Sequence, residues 1–392
     1  MQQDLSRAQS IARRVSEFLE QEIVPHEAEA REGSHGPDAA LLSALREKAR
    51  AAGVLTPHIP GFHEHLTHRE IAVILQACGW SPLGMVVLNV SAPDEGNMHL
   101  LSRVATPPQQ EHFLTPLIEG RARSAFFMTE PAAEGGAGSD PNMMITTARP
   151  DGSDWVINGR KAFITGADGA TVGIIMAKTE AGATMFLVDL PTKGVVLERA
   201  LPTIDYTLPG GHWIITLDNV RVPADRVLGQ VGQGLKYAQV RLGPARLTHC
   251  SRWLGACRRA HQVASEYAVR RHAFGKPLIE HEGVGFQLAD NLIDLQQSEL
   301  IIDWAASVLD TGSLAIHETS MAKVAVSEAL FRVADRCVQV MGGTGVTRDT
   351  LVEQVFREVR AFRIYDGPTE VHKYAIANKI RRDTIKRLAD SR

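Results

Sequence analysis

The sequence predicts an α+β protein that is mainly α, in which a helical domain, a β-rich domain and a second helical domain follow one another along 392 residues. Three observations predict this order. Apolar residues recur at helical spacing up to about Gly120. Short β-rich runs between Gly, Asp and Pro turns then extend from Arg123 to Gly229, and helical spacing returns from Gly232. The expected domains are residues 1–122, 123–230 and 231–392.

The helical assignments rest on apolar residues three or four positions apart. In the first domain this spacing joins Ile11, Val15, Phe18, Leu19, Ile71, Ile74 and Leu75. In the last domain it predicts one long bundle helix through Leu288, Leu292, Leu295, Ile302, Ala306 and Leu309. The middle domain has β-rich runs that predict a small barrel or sandwich, at residues 155–157, 172–176, 185–188 and 213–217.

Charge and cysteine content argue against several classes of protein. The chain has 42 Lys and Arg residues against 45 Asp and Glu, a net charge of −3, without a long run of one sign. We therefore expect neither nucleic acid nor an anionic membrane as a partner. Four cysteines without Cys-x-x-Cys spacing argue against a disulfide framework or a metal site: Cys78, Cys250, Cys257 and Cys337. The N-terminus has no signal-peptide pattern and no segment is apolar enough to span a membrane, so a cytoplasmic protein is expected.

The glycine pattern argues against a nicotinamide dehydrogenase. Such an enzyme would normally show Gly-x-Gly-x-x-Gly between a strand and a helix, and no such motif stands in that context. The glycine-rich segment 342–345 follows a helical pattern, which predicts a helix-ending turn.

A carboxylate near the C-terminus stands at a predicted helix break. Tyr365 closes an apolar-periodic segment, and the breaker pair Gly367-Pro368 follows Asp366 directly. Such a turn can lift a side chain and a backbone N–H into a cavity, which makes Asp366 a candidate general base. An ordinary Asp-Gly turn is the alternative.

Four separated blocks of sequence favour the general base. They are Phe126–Pro131 with Gly138–Asp140 and Asp154–Thr165, then Arg271–Leu278, then Gln339–Gly345, and last Tyr365–Gly367. In this order, over about residues 60–385, the chain resembles the acyl-CoA dehydrogenase family. The Asp-Gly-Pro turn at 366–368, with residues 91–98 and 243–249, is most similar to the branch that includes human family members ten and eleven. The resemblance implies a middle β-barrel and a C-terminal four-helix bundle.

The resemblance also implies FAD as the cofactor. A flavin ring needs a flat apolar face and hydrogen bonds at its pyrimidine edge and at N5. By resemblance, the segment around Met128 and Thr129 would bond the pyrimidine edge. Phe163 would lie against the ring, where the family usually has a tryptophan, and Thr165 would reach N5 from the same face of the strand. The remaining predicted contacts on this side are Phe127 and Ser139, the latter after an unusually long link at residues 132–137.

A second subunit is implied by four further positions, which match those that hold the adenosine diphosphate half of FAD across a subunit interface: Arg271, Phe274, Gln339 and Gly343. Arg271 offers a bidentate phosphate contact. A homodimer is the implied minimum and a homotetramer is common in the family. The chain departs from the family at Glu282, where a glutamine is frequent, and at Pro368 and Glu370, where Thr and Gln often follow the turn.

The implied reaction is the α,β-dehydrogenation of an acyl-CoA thioester to a 2-enoyl-CoA. Asp366 would take the α-proton and N5 of FAD would accept the β-hydride. The Asp366 backbone N–H and a flavin ribityl hydroxyl would hold the thioester oxygen. Arg246, Tyr365 and Gly367 are the predicted substrate contacts. Arg246 with His249 and His372 could recognise a phosphate or a polar acyl substituent, with a surface cation as the alternative for Arg246. An electron-transferring flavoprotein is the expected electron acceptor.

Three other functions remain open on the sequence. A nitroalkane oxidase uses the same fold and an aspartate base, and an acyl-carrier-protein-linked desaturase uses the same chemistry on a protein-borne thioester. A flavin-free scaffold subunit could keep the fold and the dimer interface. Acyl chain length and branching are not specified, because pocket depth depends on helix register.

Overall fold

A computed structural model describes residues 4–33, 35–59 and 65–391 of the chain, so residues 1–3 of the predicted first domain lie outside it. The chain divides into two compact units. The helical unit comprises residues 1–28, 63–84 and 243–392, and the sheet unit comprises residues 29–62 and 85–242. Residues of the predicted N-terminal domain thus contribute to both units.

The helices and strands follow the predicted order. The α-helices are α1 (Ser6–Phe18), α2 (Glu27–Glu32), α3 (Ala39–Ala51), α4 (His68–Cys78), α5 (Pro82–Val87), α6 (Asp94–Val104), α7 (Pro107–Gln109), α8 (Thr115–Ile118), α9 (Gly234–Arg270), α10 (Glu282–Leu309), α11 (Ile316–Met341), α12 (Leu351–Phe362) and α13 (Thr369–Asp390). The strands are β1 (Ser124–Phe127), β2 (Thr147–Asp151), β3 (Asp154–Thr165), β4 (Val172–Thr179), β5 (Gly182–Asp189), β6 (Val195–Leu201), β7 (His212–Pro223), β8 (Val227–Leu228), β9 (His272–Ala273) and β10 (Lys276–Pro277). The predicted fold class, mainly helical with a β-rich middle, is confirmed.

The helical unit is built from amphipathic helices with defined ends. Helix α1 buries Ile11, Val15 and Phe18, as the spacing predicts. Helix α4 begins at a capping box, because the Glu70 carboxylate accepts the Thr67 N–H at 2.8 Å while the Glu70 N–H donates to the Thr67 hydroxyl. These reciprocal bonds satisfy two of the N–H groups that a helix start leaves without intrahelical partners.

Helix α10 differs from its predicted apolar stripe at one position. Leu288, Leu295 and Ile302 are buried as expected, but Leu292 is exposed. The buried position in that turn belongs to Asn291, whose amide lies 3.5 Å from the Cys337 sulfur of α11. Asn291, a polar residue with a partner, thus occupies the buried position of this turn, where the apolar spacing had predicted Leu292.

The sheet unit contains one eight-stranded sheet. Its order is β6-β7-β3-β2-β4-β5-β8, with β1 paired in parallel beside β4. Strand β3 pairs antiparallel with β7 and its register shifts between Lys161 and Ile164. This irregularity lies in the strand that carries the predicted flavin contacts.

Candidate active site

The predicted base stands in a left-handed turn. Helix α12 ends at Phe362 and α13 begins at Thr369, and between them Asp366 has φ +53° and Gly367 has φ +103°. A Cβ at Gly367 would lie 2.7 Å from Nε2 of His372. Only glycine satisfies both the backbone angle and this close contact, so the predicted turn is present and its shape depends on Gly367.

The Asp366 carbonyl oxygen accepts two hydrogen bonds from buried side chains. Nε of Arg246 donates at 3.3 Å and Nε2 of His372 lies 3.2 Å away. Arg246 is buried, so the alternative of a surface cation is wrong. Burial, together with the charges of Arg246 and Lys323, lowers the pKa of His372 to about 4, so the ring is neutral and donates through Nε2.

A buried lysine holds the same turn at two more carbonyls. Nζ of Lys323 donates to the Phe362 carbonyl at 2.6 Å and lies 3.5 Å from the Gly367 carbonyl. The ammonium also lies 4.4 Å above the Phe362 ring. Lys323 is only 1% exposed, and burial lowers its pKa to about 8. The turn is therefore held at both ends by main-chain hydrogen bonds from buried groups.

The side chains beside Asp366 are aromatic and basic. Nε2 of His249 lies 3.2 Å from Oδ2 of Asp366. The Tyr365 ring lies 4.8 Å from the His249 ring, and the Tyr365 hydroxyl accepts the indole N–H of Trp253 at 2.6 Å. The hydroxyl of Tyr365 is thus fixed by a side chain of α9, which also carries Arg246 and His249.

In the sheet unit, Phe163 has the exposure that a flavin-facing ring requires. Its φ is +56° at the register shift of β3, and its side chain is 61% exposed, whereas Ala162 and Ile164 are buried. A large aromatic side chain in left-handed backbone, exposed between two buried neighbours, is costly without a partner. The arrangement leaves one face of this ring open to a ligand.

Thr165 takes part in a polar chain within the sheet unit. Its hydroxyl lies 2.9 Å from Nδ1 of His212, and Nε2 of His212 lies 2.9 Å from the Asp205 carboxylate. Thr165 and His212 are direct partners in the β3–β7 ladder. The Thr165 hydroxyl is therefore oriented before any ligand binds.

A buried ion pair supports the Met128–Thr129 segment. Nζ of Lys161 donates to the Glu130 carboxylate at 2.9 Å and to the Met128 carbonyl at 3.2 Å, and both charged side chains are fully buried. The Thr129 carbonyl accepts the Ala162 N–H at 2.9 Å. These contacts attach the segment to β3.

The Glu130–Lys161 pair is completed by backbone donors. The Glu130 carboxylate accepts N–H groups from Ile145 at 2.8 Å and Thr146 at 2.9 Å. Burial disfavours the Glu130 carboxylate, but Lys161 and these hydrogen bonds outweigh burial and lower its pKa to about 2. Burial lowers the pKa of Lys161 to about 8 against the opposing effect of Glu130. The carboxylate stays ionised, and the pair is structural rather than a proton donor.

Two other predicted cofactor contacts have contrasting positions. Phe127 is fully buried in the core of the sheet unit, so only its backbone is available to a ligand. Ser139 is exposed, in the long link that follows Pro131. Glu134 of that link pairs with Arg160, which also binds Glu198 at 2.6 Å.

The positions predicted to face a second subunit are exposed. Helix α9 ends at Arg270, and Phe274 with Gly275 forms the tip of the β9–β10 hairpin, both at positive φ. Phe274 is 96% exposed. The other three residues, Arg271, Gln339 and Gly343, are exposed as well. Gly343 lies in the turn after α11, which confirms the predicted helix end there.

The chemistry of these groups fits a flavin. The sheet unit offers an open aromatic face at Phe163, an oriented hydroxyl at Thr165 and the backbone of Met128 and Thr129. The helical unit offers the exposed guanidinium of Arg271 for a phosphate. No group of three or more His, Cys, Asp or Glu residues that could hold a metal ion occurs in the described part of the chain. Over residues 4–33, 35–59 and 65–391, no helix is long and apolar enough to cross a membrane.

Comparison with known proteins identifies the class. Three domain models of one family match in chain order: the acyl-CoA dehydrogenase N-terminal domain at residues 6–121, middle domain at 125–211 and C-terminal domain at 232–380. A glutaryl-CoA dehydrogenase from Mycobacterium smegmatis, solved in complex with FADH2, is 25% identical with a TM-score of 0.85, over 95% of this chain and 94% of that one.

Two curated relatives give closer sequence matches. FadE2 of Mycobacterium tuberculosis is 38% identical over 86% of this chain and 84% of its own length. Rat acyl-CoA dehydrogenase family member 11 is 34% identical over 97% of this chain, which spans 51% of that protein. The chain belongs to the acyl-CoA dehydrogenase family, a family of FAD-dependent oxidoreductases. The predicted resemblance to the branch of members ten and eleven is confirmed.

The sequence prediction did not include several residues that form these sites. Lys323 and the Glu130–Lys161 pair carried no signal, because a lysine in a helix or strand is ordinarily solvated. His249 was predicted only as a substrate contact beside Arg246, and Arg252 was not predicted; both follow Arg246 at steps of three, which places all three near one face of a helix. That spacing was the available signal.

Proposed function

We propose that this chain is an FAD-dependent acyl-CoA dehydrogenase in which Asp366 is the general base. The observation that carries the proposal is the Asp366 turn, whose carbonyl groups are held by Arg246, His372 and Lys323. A turn held this firmly can present one carboxylate at a fixed distance from a bound substrate.

Asp366 would accept the α-proton of the thioester. That proton is weakly acidic, so its removal needs a fixed carboxylate and a donor for the developing enolate oxygen. The backbone N–H of Asp366 is the proposed donor. Aspartate is one methylene shorter than glutamate, and the left-handed backbone at Asp366 is the local adjustment that would bring its carboxylate to the substrate.

FAD, when bound, supplies the acceptor for the β-hydride. The residues proposed to hold it in one subunit are Met128, Thr129, Ser139, Phe163, Thr165 and the backbone of Phe127. Those proposed to hold it from a second subunit are Arg271, Phe274, Gln339 and Gly343. A homodimer or homotetramer is part of this proposal, and so is an electron-transferring flavoprotein as the electron acceptor. Tyr365, Gly367 and Arg246 remain the proposed substrate contacts, and Arg246 would also hold the turn.

An anaerobic visible titration tests the proposal. The FAD-loaded protein is titrated with saturated acyl-CoA thioesters of increasing chain length, and we expect at least one to bleach the flavin. Asp366→Asn should bind FAD equally and stay yellow, whereas Asp383→Asn, an exposed control on α13, should bleach as the wild type does.

Three results would overturn the proposal in different ways. Bleaching by nitroethane but by no thioester would indicate a nitroalkane oxidase. Bleaching only by thioesters on acyl-carrier protein would indicate a carrier-linked desaturase. A protein that stays colourless after FAD reconstitution would indicate a flavin-free scaffold.

A further inference from the structure

A chain of basic side chains leads along α9 to the Asp366 carboxylate. His249 and Arg252 are buried, Arg252 to 2% exposure, although guanidinium groups are rarely buried without partners. Nη2 of Arg252 donates to Nδ1 of His249 at 3.0 Å, and Nε2 of the same ring lies 3.2 Å from Oδ2 of Asp366. The His249 imidazole thus lies between the Arg252 guanidinium and the Asp366 carboxylate.

This geometry defines the protonation state of His249. A guanidinium has only N–H donors and keeps its proton in proteins, so Nδ1 of His249 is an acceptor and carries no hydrogen. The one ring proton is therefore on Nε2, the nitrogen nearest the carboxylate. His249 is a neutral imidazole with a fixed tautomer.

The helix that carries these residues is held in place beside them. A Cβ at Gly79, just after α4, would lie 2.0 Å from the Arg252 carbonyl oxygen, and a Cβ at Gly255 would lie 2.1 Å from the Gln76 carbonyl oxygen. The end of α4 thus contacts α9 backbone to backbone at the level of Arg252. This contact leaves little freedom to the segment that carries His249.

We propose that Arg252 and His249 are positioning residues for the general base. Arg252 fixes the Nε2–H tautomer of His249, so that this N–H faces Oδ2 of Asp366, which lies 3.2 Å away but is not aligned with it for a hydrogen bond in this structure. A small rotation of the carboxylate brings Oδ2 onto this N–H when substrate binds, and Oδ1 is then the oxygen that takes the proton. In that step the α C–H bond breaks, an O–H bond forms at Oδ1, and the electron pair of the C–H bond stays with the substrate. The inference rests on the proposed function, because it assigns the orientation of the proposed base.

Replacement of His249 separates positioning from simple packing. In anaerobic stopped-flow reduction of the FAD-loaded protein by a thioester that the wild type oxidises, His249→Leu should lower the limiting reduction rate by about 100-fold. His249→Gln keeps an N–H donor at a similar reach and should recover to within about 10-fold of the wild type. FAD content and the thioester dissociation constant should change by less than about threefold in both. Gln262→Leu, at an exposed position of α9, is the matched control and should react as the wild type does.

The tautomer is measured independently of catalysis. In protein labelled with ¹⁵N-histidine, the His249 resonances, assigned by their loss in His249→Gln, should show a neutral ring protonated at Nε2. In Arg252→Met this single-tautomer signature should be lost, and the reduction rate should fall about 10-fold or more.

Distinct results overturn the inference and the proposed function. Three results would each contradict the inference. The first is an imidazolium or an Nδ1–H tautomer of His249 in the wild type. The others are flavin reduction at the wild-type rate in His249→Leu, and equal flavin reduction rates in His249→Leu and His249→Gln. If no thioester reduces the flavin of the wild type, the proposed function fails, and with it the positioning role assigned to His249 and Arg252. The ¹⁵N spectrum then still decides whether Arg252 fixes the His249 tautomer.

Discussion

Two buried lysines, one in each unit of the molecule, show two uses of the same charge. Burial lowers the pKa of Lys161 and of Lys323 alike, to about 8. Lys161 donates to the Glu130 carboxylate, whereas Lys323 donates to the carbonyls of Phe362 and Gly367. The first contact makes a closed ion pair under the proposed flavin segment. The second fixes the main chain around the proposed base, and the ammonium charge lies close to the Asp366 turn.

The difference explains why Lys323, rather than Lys161, suits a position beside the proposed base. A carboxylate paired like Glu130, with a pKa of about 2, is too weak a base for a thioester α-proton. A lysine that holds carbonyl oxygens positions the backbone without consuming a carboxylate. The Lys323 ammonium is then a buried charge without a full counter-charge, which lowers stability, and such destabilising groups are typical of functional sites.

Breaking the closed pair should have the largest effect on stability. Glu130→Gln leaves the Lys161 ammonium buried without its counter-ion, and we expect the free energy of unfolding to fall by about 3–5 kcal/mol at pH 7. Urea denaturation of the FAD-loaded protein measures it. The double variant Glu130→Gln with Lys161→Met should recover part of the loss, and Glu134→Gln, at an exposed pair, should cost less than about 1 kcal/mol. A loss below about 1 kcal/mol in Glu130→Gln would contradict the pairing described.

The burial of His372 beside Arg246 and Lys323 should appear in the pH dependence of stability. The folded pKa of His372, about 4, is below its ordinary value of 6.5, so the unfolded chain binds more protons between those pH values. The stability contributed by neutral His372 is present above pH 6.5 and is lost as pH falls towards 4, by about 3 kcal/mol in all. Comparison of urea unfolding for the wild type and His372→Gln from pH 7 to 4 should show a flatter profile in the variant. Parallel profiles would refute this assignment.

Removing Lys323 should affect function more than stability. Lys323→Met loses the hydrogen bonds to the Phe362 and Gly367 carbonyls but also removes a buried charge. We expect the flavin reduction rate to fall by about 100-fold, which corresponds to about 2.7 kcal/mol, while FAD content is kept. Stopped-flow absorbance measures the rate. A variant that reduces at the wild-type rate would show that the main-chain contacts of Lys323 do not position the base.

The smallest expected effect sharpens the role of the turn. Gly367→Ala places a Cβ at φ +103° and 2.7 Å from Nε2 of His372, and we expect a loss of about 1–2 kcal/mol in unfolding free energy. Gly283→Ala in α10 is the matched control, because a Cβ there meets no atom within 4 Å and alanine favours helix. Equal effects of the two substitutions would contradict the close contact at Gly367.

The sequence predicted those features that depend on local pattern. Helical spacing and β-rich runs are periodic over a few turns, and the Asp366 break depends on three adjacent residues, so the element order and the turn were within reach. The exposure of Leu292 could not be predicted in this way, because Asn291 takes the buried position through a contact with Cys337 of α11, and no local pattern specifies that contact. Arg246 was likewise open until its burial against Asp366 was seen.

The polar network of the sites depends on contacts between distant residues. Lys323 is 44 residues from Gly367, and Thr165 is 47 residues from His212. Such partners are fixed by strand register and helix packing, which residue type and spacing along one element do not determine. Of these contacts, the sequence indicated only that Arg246, His249 and Arg252, spaced three residues apart, lie near one face of a helix.

Solvent-deuterium incorporation tests the general base most directly. The FAD-loaded protein is incubated anaerobically in D₂O with an acyl-CoA, and the remaining thioester is analysed by mass spectrometry for α-deuterium. Because a proton taken by Asp366 exchanges with solvent before it returns, the wild type should label the α-carbon, and Asp366→Asn should not, although it binds FAD and thioester. Labelling by Asp366→Asn at the wild-type rate would contradict the assignment of Asp366 as the base.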